Sequence, residues 1–234
     1  MNSILDNHNF YWFLVIIIGV VGMIVQGRLQ AVFNKYSKIM FHGGLTGREV
    51  AEKMLRDNGV HDVTVTSTKG HLTDNYNPRT KTVNLSESVY NSNSVSAAAV
   101  AAHECGHAIQ DATEYAPLKM RSALVPVISA SSQWSTWVVL IGAVIAGVTG
   151  NVILLWIGIG MIALAAVFSI ITLPVEYNAS SRALVWLGSS NTLSQEEVAQ
   201  AKVPLKWAAR TYLVSALGAI AILLYWVAVA GRRN

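Results

Sequence analysis

The sequence predicts a mainly α membrane protein with about four transmembrane helices and a small α+β domain on one membrane face. Three observations predict it. Charged residues make up 13% of the 234-residue chain and hydrophobic residues 53%, whereas a soluble domain carries roughly 25% charged residues. Three stretches hold no Asp, Glu, Lys or Arg: Phe10 to Val25, Ser122 to Val175 and Thr211 to Ala230. Nearly all remaining charge lies in residues 27–121 and 176–210, where helix and strand periodicities can be read.

Residues 1–26 read as an N-terminal transmembrane anchor. The apolar run from Phe10 is about 16 residues, the short end of what an ~30 Å hydrocarbon core requires. No Lys or Arg precedes Arg28, and no small-x-small site follows the run, so it reads as an anchor rather than a cleaved signal. In region 27–121, Leu45 to Asn58 has an amphipathic helical pattern, with Thr46 as N-cap, Glu49 three residues on and Gly59 as the stop. Val63 and Val65 alternate with threonines as in a half-buried strand. Tyr76 to Thr80 reads as a turn and Thr82 to Leu85 as another short strand. Ser94 to Gln110 is alanine-rich and helical, within an element placed at 94–112.

Residues 122–175 are too long for one span and right for a pair, with a break at Gly147-Val148-Thr149-Gly150-Asn151. Residues 176–210 form a short polar segment, and 211–234 carry the fourth span. Pro174 is placed to kink or restart a helix before Glu176. Lys and Arg cluster in the segments on one side of this four-span arrangement, which makes that side cytoplasmic; Arg232 and Arg233 run against the assignment. The net charge of +4 comes from scattered residues with no basic run, which excludes a nucleic-acid partner. A single cysteine excludes an intrachain disulfide.

The chemistry is carried by His103-Glu104-Cys105-Gly106-His107. Histidines four apart on a helix put both imidazoles on one face, one turn apart, where they can bind one tetrahedral Zn²⁺. Glu104 projects roughly 100° round the helix from His103. It can therefore serve as general base toward a zinc-activated water without binding the metal. A third ligand must come from elsewhere. Gln110 and Thr113 stand where a metzincin would need Gly and His, so that class is out. His8, His42, His61 and His71 are the other histidines, and His71 is the placeable one. Asp111, four after His107, continues the metal face as a ligand or an orienting group. Glu176 is the stronger candidate: two membrane crossings separate it from His107, and an even number returns the chain to the same side. Cys105 points away from the metal and reads as a core residue. Gly106 either leaves the metal-side groove open or allows close packing. Thr82 to Leu85 offers either an edge strand for an extended substrate or ordinary sheet pairing. Tyr76, Tyr90, Tyr177, His71 and Arg182 are candidate oxyanion donors.

Four blocks in order make the chain resemble the YugP-type membrane zinc metallopeptidases: Gly70-His71-Leu72-Thr73-Asp74-Asn75-Tyr76-Asn77-Pro78, Leu85-Ser86-Glu87-Ser88-Val89-Tyr90, Ala101-Ala102-His103-Glu104-Cys105-Gly106-His107-Ala108-Ile109-Gln110, and Leu173-Pro174-Val175-Glu176-Tyr177-Asn178-Ala179-Ser180-Ser181-Arg182-Ala183. The chain is also distantly similar to the HtpX-type membrane proteases. The resemblance covers most of the chain. It implies a gluzincin-like centre in which Glu176 completes a site for one zinc ion with His103 and His107. The family pattern has His where this chain has Asn75, and Asp where it has Asn77 and Asn178; a neutral amide at 178 holds a histidine less strongly than a carboxylate.

The expectation is a membrane-embedded zinc metalloendopeptidase acting on a protein or peptide substrate beside the lipid bilayer. Its expected setting is a bacterial cell membrane, with the active site on the cytoplasmic side. The alternative is a catalytically silent membrane adaptor that retains a zinc site; the intact Glu104 argues against it, because a structural site has four protein ligands and no need of a base. An intramembrane site-2-type protease is disfavoured by the charges of Asp111 and Glu114 just after the motif. A transporter is disfavoured by the lack of charge within the spans.

Overall fold

The structure is a computed structural model that describes residues 8–70 and 72–231, with backbone only at residues 8 and 9. The side chains of His8, His71, Arg232 and Arg233 lie outside the described set. Four helices are long and apolar enough to cross a membrane: α1 (His8–Tyr36), α5 (Ala116–Thr149), α6 (Ile153–Ser189) and α7 (Gln195–Gly231). Between α1 and α5 come α2 (Gly47–Asp57), β1 (Thr64–Thr68), β2 (Asn75–Asn77), β3 (Thr82–Ser86), the short α3 (Glu87–Tyr90) and α4 (Val95–Ala112). The chain is thus a mainly α membrane protein with a small α+β part.

Each spanning helix exceeds the roughly 20 residues a bilayer needs; α6 and α7 have 37 each. The charge-free stretches are therefore only parts of longer helices. Pro174 lies inside α6 and does not end it. The α5–α6 break falls where turn chemistry places it: Gly150 takes φ +75, and the Asn151 side chain accepts from the Ile153 N–H at 3.0 Å.

The described residues form two compact units, within Met1–Ile24, Met120–Leu173 and Thr211–Asn234, and within Val25–Lys119 and Pro174–Arg210. In the first unit α5 and α6 meet through glycines. A Cβ on Gly142 would lie 2.5 Å from the Leu155 nitrogen, and one on Gly158 would lie 2.8 Å from the Val139 Cα. Small residues at such crossings let backbones approach, which is how spanning helices gain packing energy without a hydrophobic driving force.

The second unit is built around α4. Its alanines from Ala97 to Ala108 are buried on all sides, packing with Val50, Met54, Leu85, Val89, Ala183 and Leu187. An alanine-rich helix can be surrounded in this way because its own side chains leave room for neighbours. Ser94 caps α4, its hydroxyl accepting from the Ala97 N–H at 3.3 Å. Thr46 and Glu49 form the expected capping box on α2, and Gly59 takes φ +70 just past its end. The sheet order is β1-β3-β2, with β1 parallel and β2 antiparallel to β3. β3 is therefore the central strand, so Thr82 to Leu85 is paired on both sides and offers no edge. Tyr76 and Asn77 belong to strand β2; the tight turn spans residues 78–81.

Candidate metal centre

His103 and His107 project from α4 one turn apart, their ring centroids 4.8 Å apart and nearly perpendicular. Glu176 comes from α6. Its Oε2 lies 3.3 Å from the Nε2 of His103 and 3.5 Å from the Nε2 of His107. One ligand atom from each of the three lies within 4.8 Å of the others, and among the described residues they are the group of side chains placed so that they could hold a metal ion. Glu176 is only 1% exposed and His107 7%. Burying an ionised carboxylate is costly unless positive charge compensates it.

The approach of α6 to α4 depends on a missing side chain. A Cβ on Gly106 would lie 2.6 Å from the Ala179 carbonyl oxygen and 3.0 Å from the Ala179 Cα. Gly106 therefore serves close helix packing, and that packing lets residue 176 reach the histidines. Gln110, one turn beyond Gly106, is fully buried and bridges the same two helices. Its Nε2 donates to the Val175 carbonyl at 2.8 Å and to Asn178 Oδ1 at 3.0 Å, while its Oε1 lies 3.0 Å from His107 Nδ1. Ser180 Oγ lies 3.0 Å from His103 Nδ1. Each imidazole thus has a partner on Nδ1 and turns Nε2 toward Glu176, as in histidines held for metal binding. Two imidazole nitrogens and one carboxylate oxygen suit Zn²⁺ and leave a tetrahedral ion one open position. The residues present fit the group.

Glu104 is 8% exposed. Burial pushes its carboxyl up to about 7; the Glu176 and Asp74 carboxylates push the same way, against His103 and a hydrogen bond from the Tyr76 backbone N–H. That hydrogen bond places strand β2, at the edge of the sheet, beside Glu104.

The other residues weighed from sequence fall elsewhere. Asp111 accepts from the Tyr76 hydroxyl at 2.8 Å and from Lys81 Nζ at 2.7 Å, pinning the β2–β3 turn to α4 outside the metal-ligating group. His42 bonds Glu197 Oε1 through its backbone N–H at 2.9 Å and its ring Nδ1 at 2.8 Å. His61 is exposed beside β1. Cys105 is fully buried in the core, with Sγ 3.5 Å from the Ala51 carbonyl. Of the candidate oxyanion donors, Tyr76 is engaged by Asp111, Arg182 donates from Nε to Asn178 Oδ1 at 2.8 Å, Tyr90 lies under Arg48, and Tyr177 is half exposed. Gln110 and Ser180 were not singled out from sequence. Gln110 could have been, since it stands three residues after His107 on the same helix.

Four apolar spanning helices and a His-Glu-x-x-His helix joined by a glutamate from a second helix define a membrane protein with a zinc-peptidase type of metal site. The family described as "Putative neutral zinc metallopeptidase" matches residues 11–231, and the chain belongs to that family. The chain is 38% identical over 204 residues to "Putative membrane protease YugP" of Bacillus subtilis (strain 168), covering 87% of this chain and 89% of that protein. No solved structure matches it.

Proposed function

We propose that this chain is a membrane zinc metalloendopeptidase, with His103, His107 and Glu176 as zinc ligands and Glu104 as general base. The observation that carries the reading is the convergence of both imidazole Nε2 atoms on one oxygen of the buried Glu176 carboxylate. A zinc ion held there by His103, His107 and Glu176 would supply Lewis acidity for polarising an amide carbonyl and for bringing the pKa of water toward ~7. Glu104 takes a proton from the attacking water and passes it to the departing amine. Burial raises the Glu104 carboxyl, which makes it a better proton acceptor than an ordinary carboxylate. The edge strand β2 is the platform for an extended substrate segment, which adds to it by main-chain hydrogen bonds and lies next to Glu104. The description of the Bacillus subtilis relative as a membrane protease supports a protein substrate. We place the site on the cytoplasmic side of a bacterial cell membrane, on the distribution of Lys and Arg around the spans.

The test is Glu104→Gln in the full chain, purified in detergent. It keeps zinc at the wild-type level while cleavage of an unfolded protein substrate falls by roughly 10²–10⁴-fold. Equal cleavage by the variant and the wild type would remove Glu104 from the mechanism. A wild-type protein that holds zinc yet cleaves no substrate would instead favour the silent-adaptor reading.

A further inference from the structure

We propose that Gln110, oriented jointly by the Val175 carbonyl and by an Asn178 amide that Arg182 holds, selects the tautomer of His107 whose Nε2 lone pair faces Glu176, which makes Gln110 and Arg182 positioning residues for the metal site. The inference rests on the reading of His107 as a ligand. It follows from counting donors and acceptors along a chain of contacts. A guanidinium has donors only. Arg182 Nε reaches Asn178 at 2.8 Å, so the Asn178 atom it meets must be the carbonyl oxygen. That oxygen also lies 3.0 Å from Gln110, so Gln110 must present its NH₂ there. The Val175 backbone carbonyl, 2.8 Å from the same Gln110 nitrogen, is an acceptor only and demands the same orientation.

With its NH₂ fixed, Gln110 can offer His107 only its carbonyl oxygen, 3.0 Å from Nδ1. Nδ1 must therefore carry the hydrogen. A neutral imidazole with Nδ1 protonated has its lone pair on Nε2, the atom 3.5 Å from Glu176 Oε2. Gln110 is fully buried, so water does not compete to turn the amide over.

The relay also accounts for the amide at position 178. A carboxylate accepts on either oxygen and needs nothing to orient it. An asparagine presents the correct end only if something fixes its rotamer, and here Arg182, one helical turn along α6, does so. Arg182 Nε is thereby committed to Asn178 rather than to a substrate carbonyl.

The experiment reads the His107 tautomer directly, by long-range ¹H–¹⁵N correlation on zinc-free full-length protein at a pH where the imidazole is neutral, together with zinc affinity by chelator competition. Wild type shows His107 protonated on Nδ1. Gln110→Met gives a tautomer mixture and a 10–100-fold loss of zinc affinity, the usual effect of removing a group that holds a metal-binding histidine. Arg182→Leu, at a part-buried position, moves the tautomer balance in the same direction, and adding Asn178→Asp restores it. A merely structural role for Arg182 predicts no such restoration. An unchanged tautomer in Gln110→Met, or in Arg182→Leu where the first variant fails to fold, overturns the relay. If the wild-type protein binds no zinc, the metal reading fails, while the zinc-free spectra still judge the relay.

Discussion

Asp111 shows how a residue on the motif helix, one turn past the proposed ligand His107, can serve the scaffold instead of the metal site. Burial alone would raise its carboxyl, but hydrogen bonds from Lys81 and Tyr76 outweigh that and hold it below the ordinary carboxylate range. The Tyr76 phenol is raised in turn, by burial first and by Asp111 second. A depressed carboxylate contributes stability that is fully present above its unfolded-state value, ~3.9, and is lost as pH falls through the lower folded value. Asp111→Asn is therefore expected to cost about 1–2 kcal/mol at neutral pH, with the difference from wild type closing in strongly acidic buffer; thermal unfolding across pH measures it. A gap that stays constant with pH would show that Asp111 contributes nothing through its charge.

His103, Glu104 and His107 could be read from sequence because their geometry is local. Four residues make about one turn of a helix, and the alanines around the motif leave little choice of element. Glu176 was readable for a different reason: counting membrane crossings fixes which side a residue returns to, even 69 positions on. Neither argument reaches Gln110 and Ser180. Their roles depend on the distance and rotation of α6 against α4, which no periodicity encodes.

At the scale of elements, that distance is set by Gly106. Both sequence-level explanations of it were open, and the contact with Ala179 selects close packing. Gly106→Ala is expected to force α4 and α6 apart, costing about 1–3 kcal/mol as overpacking does, and to weaken zinc binding by moving Glu176 away from the histidines. Thermal unfolding and chelator competition check the two effects. Unchanged zinc affinity would mean that the crossing distance does not control the site. Strand β2 and the one-turn helix α3 were missed from sequence: Asn-Tyr-Asn has no strand pattern, and three residues make a strand only because β3 is there to pair with. The same nonlocal pairing explains why Thr82 to Leu85, recognised as a strand, was not recognisable as the central one. The Thr46–Glu49 capping box and the Gly59 stop, by contrast, act within four residues and were legible.

At the scale of the whole molecule, the four spans were visible as absences of charge, but their helices were not visible at full length. Helix propensity continues past the last apolar residue, so α1, α6 and α7 carry extra turns that supply Glu176 and part of the second unit's core, including Phe33, Leu187 and Leu205. The proposed orientation makes a clean prediction. A reporter cysteine at Ser190, in a chain whose native Cys105 is buried, is expected to react with a membrane-impermeant maleimide in inside-out vesicles and to stay unreacted in intact cells. Labelling in intact cells would place the candidate metal centre on the outer face and give the discordant Arg232 and Arg233 the deciding weight.

Under the proposed function, side chains from two helices hold one metal ion. Metal analysis of the purified full-length chain reads this out, with Glu176→Ala prepared in parallel. Close to one zinc per chain is expected in the wild type, with near-complete loss in the variant at the same chelator concentration. Wild-type zinc content in Glu176→Ala, with unchanged affinity, would contradict it.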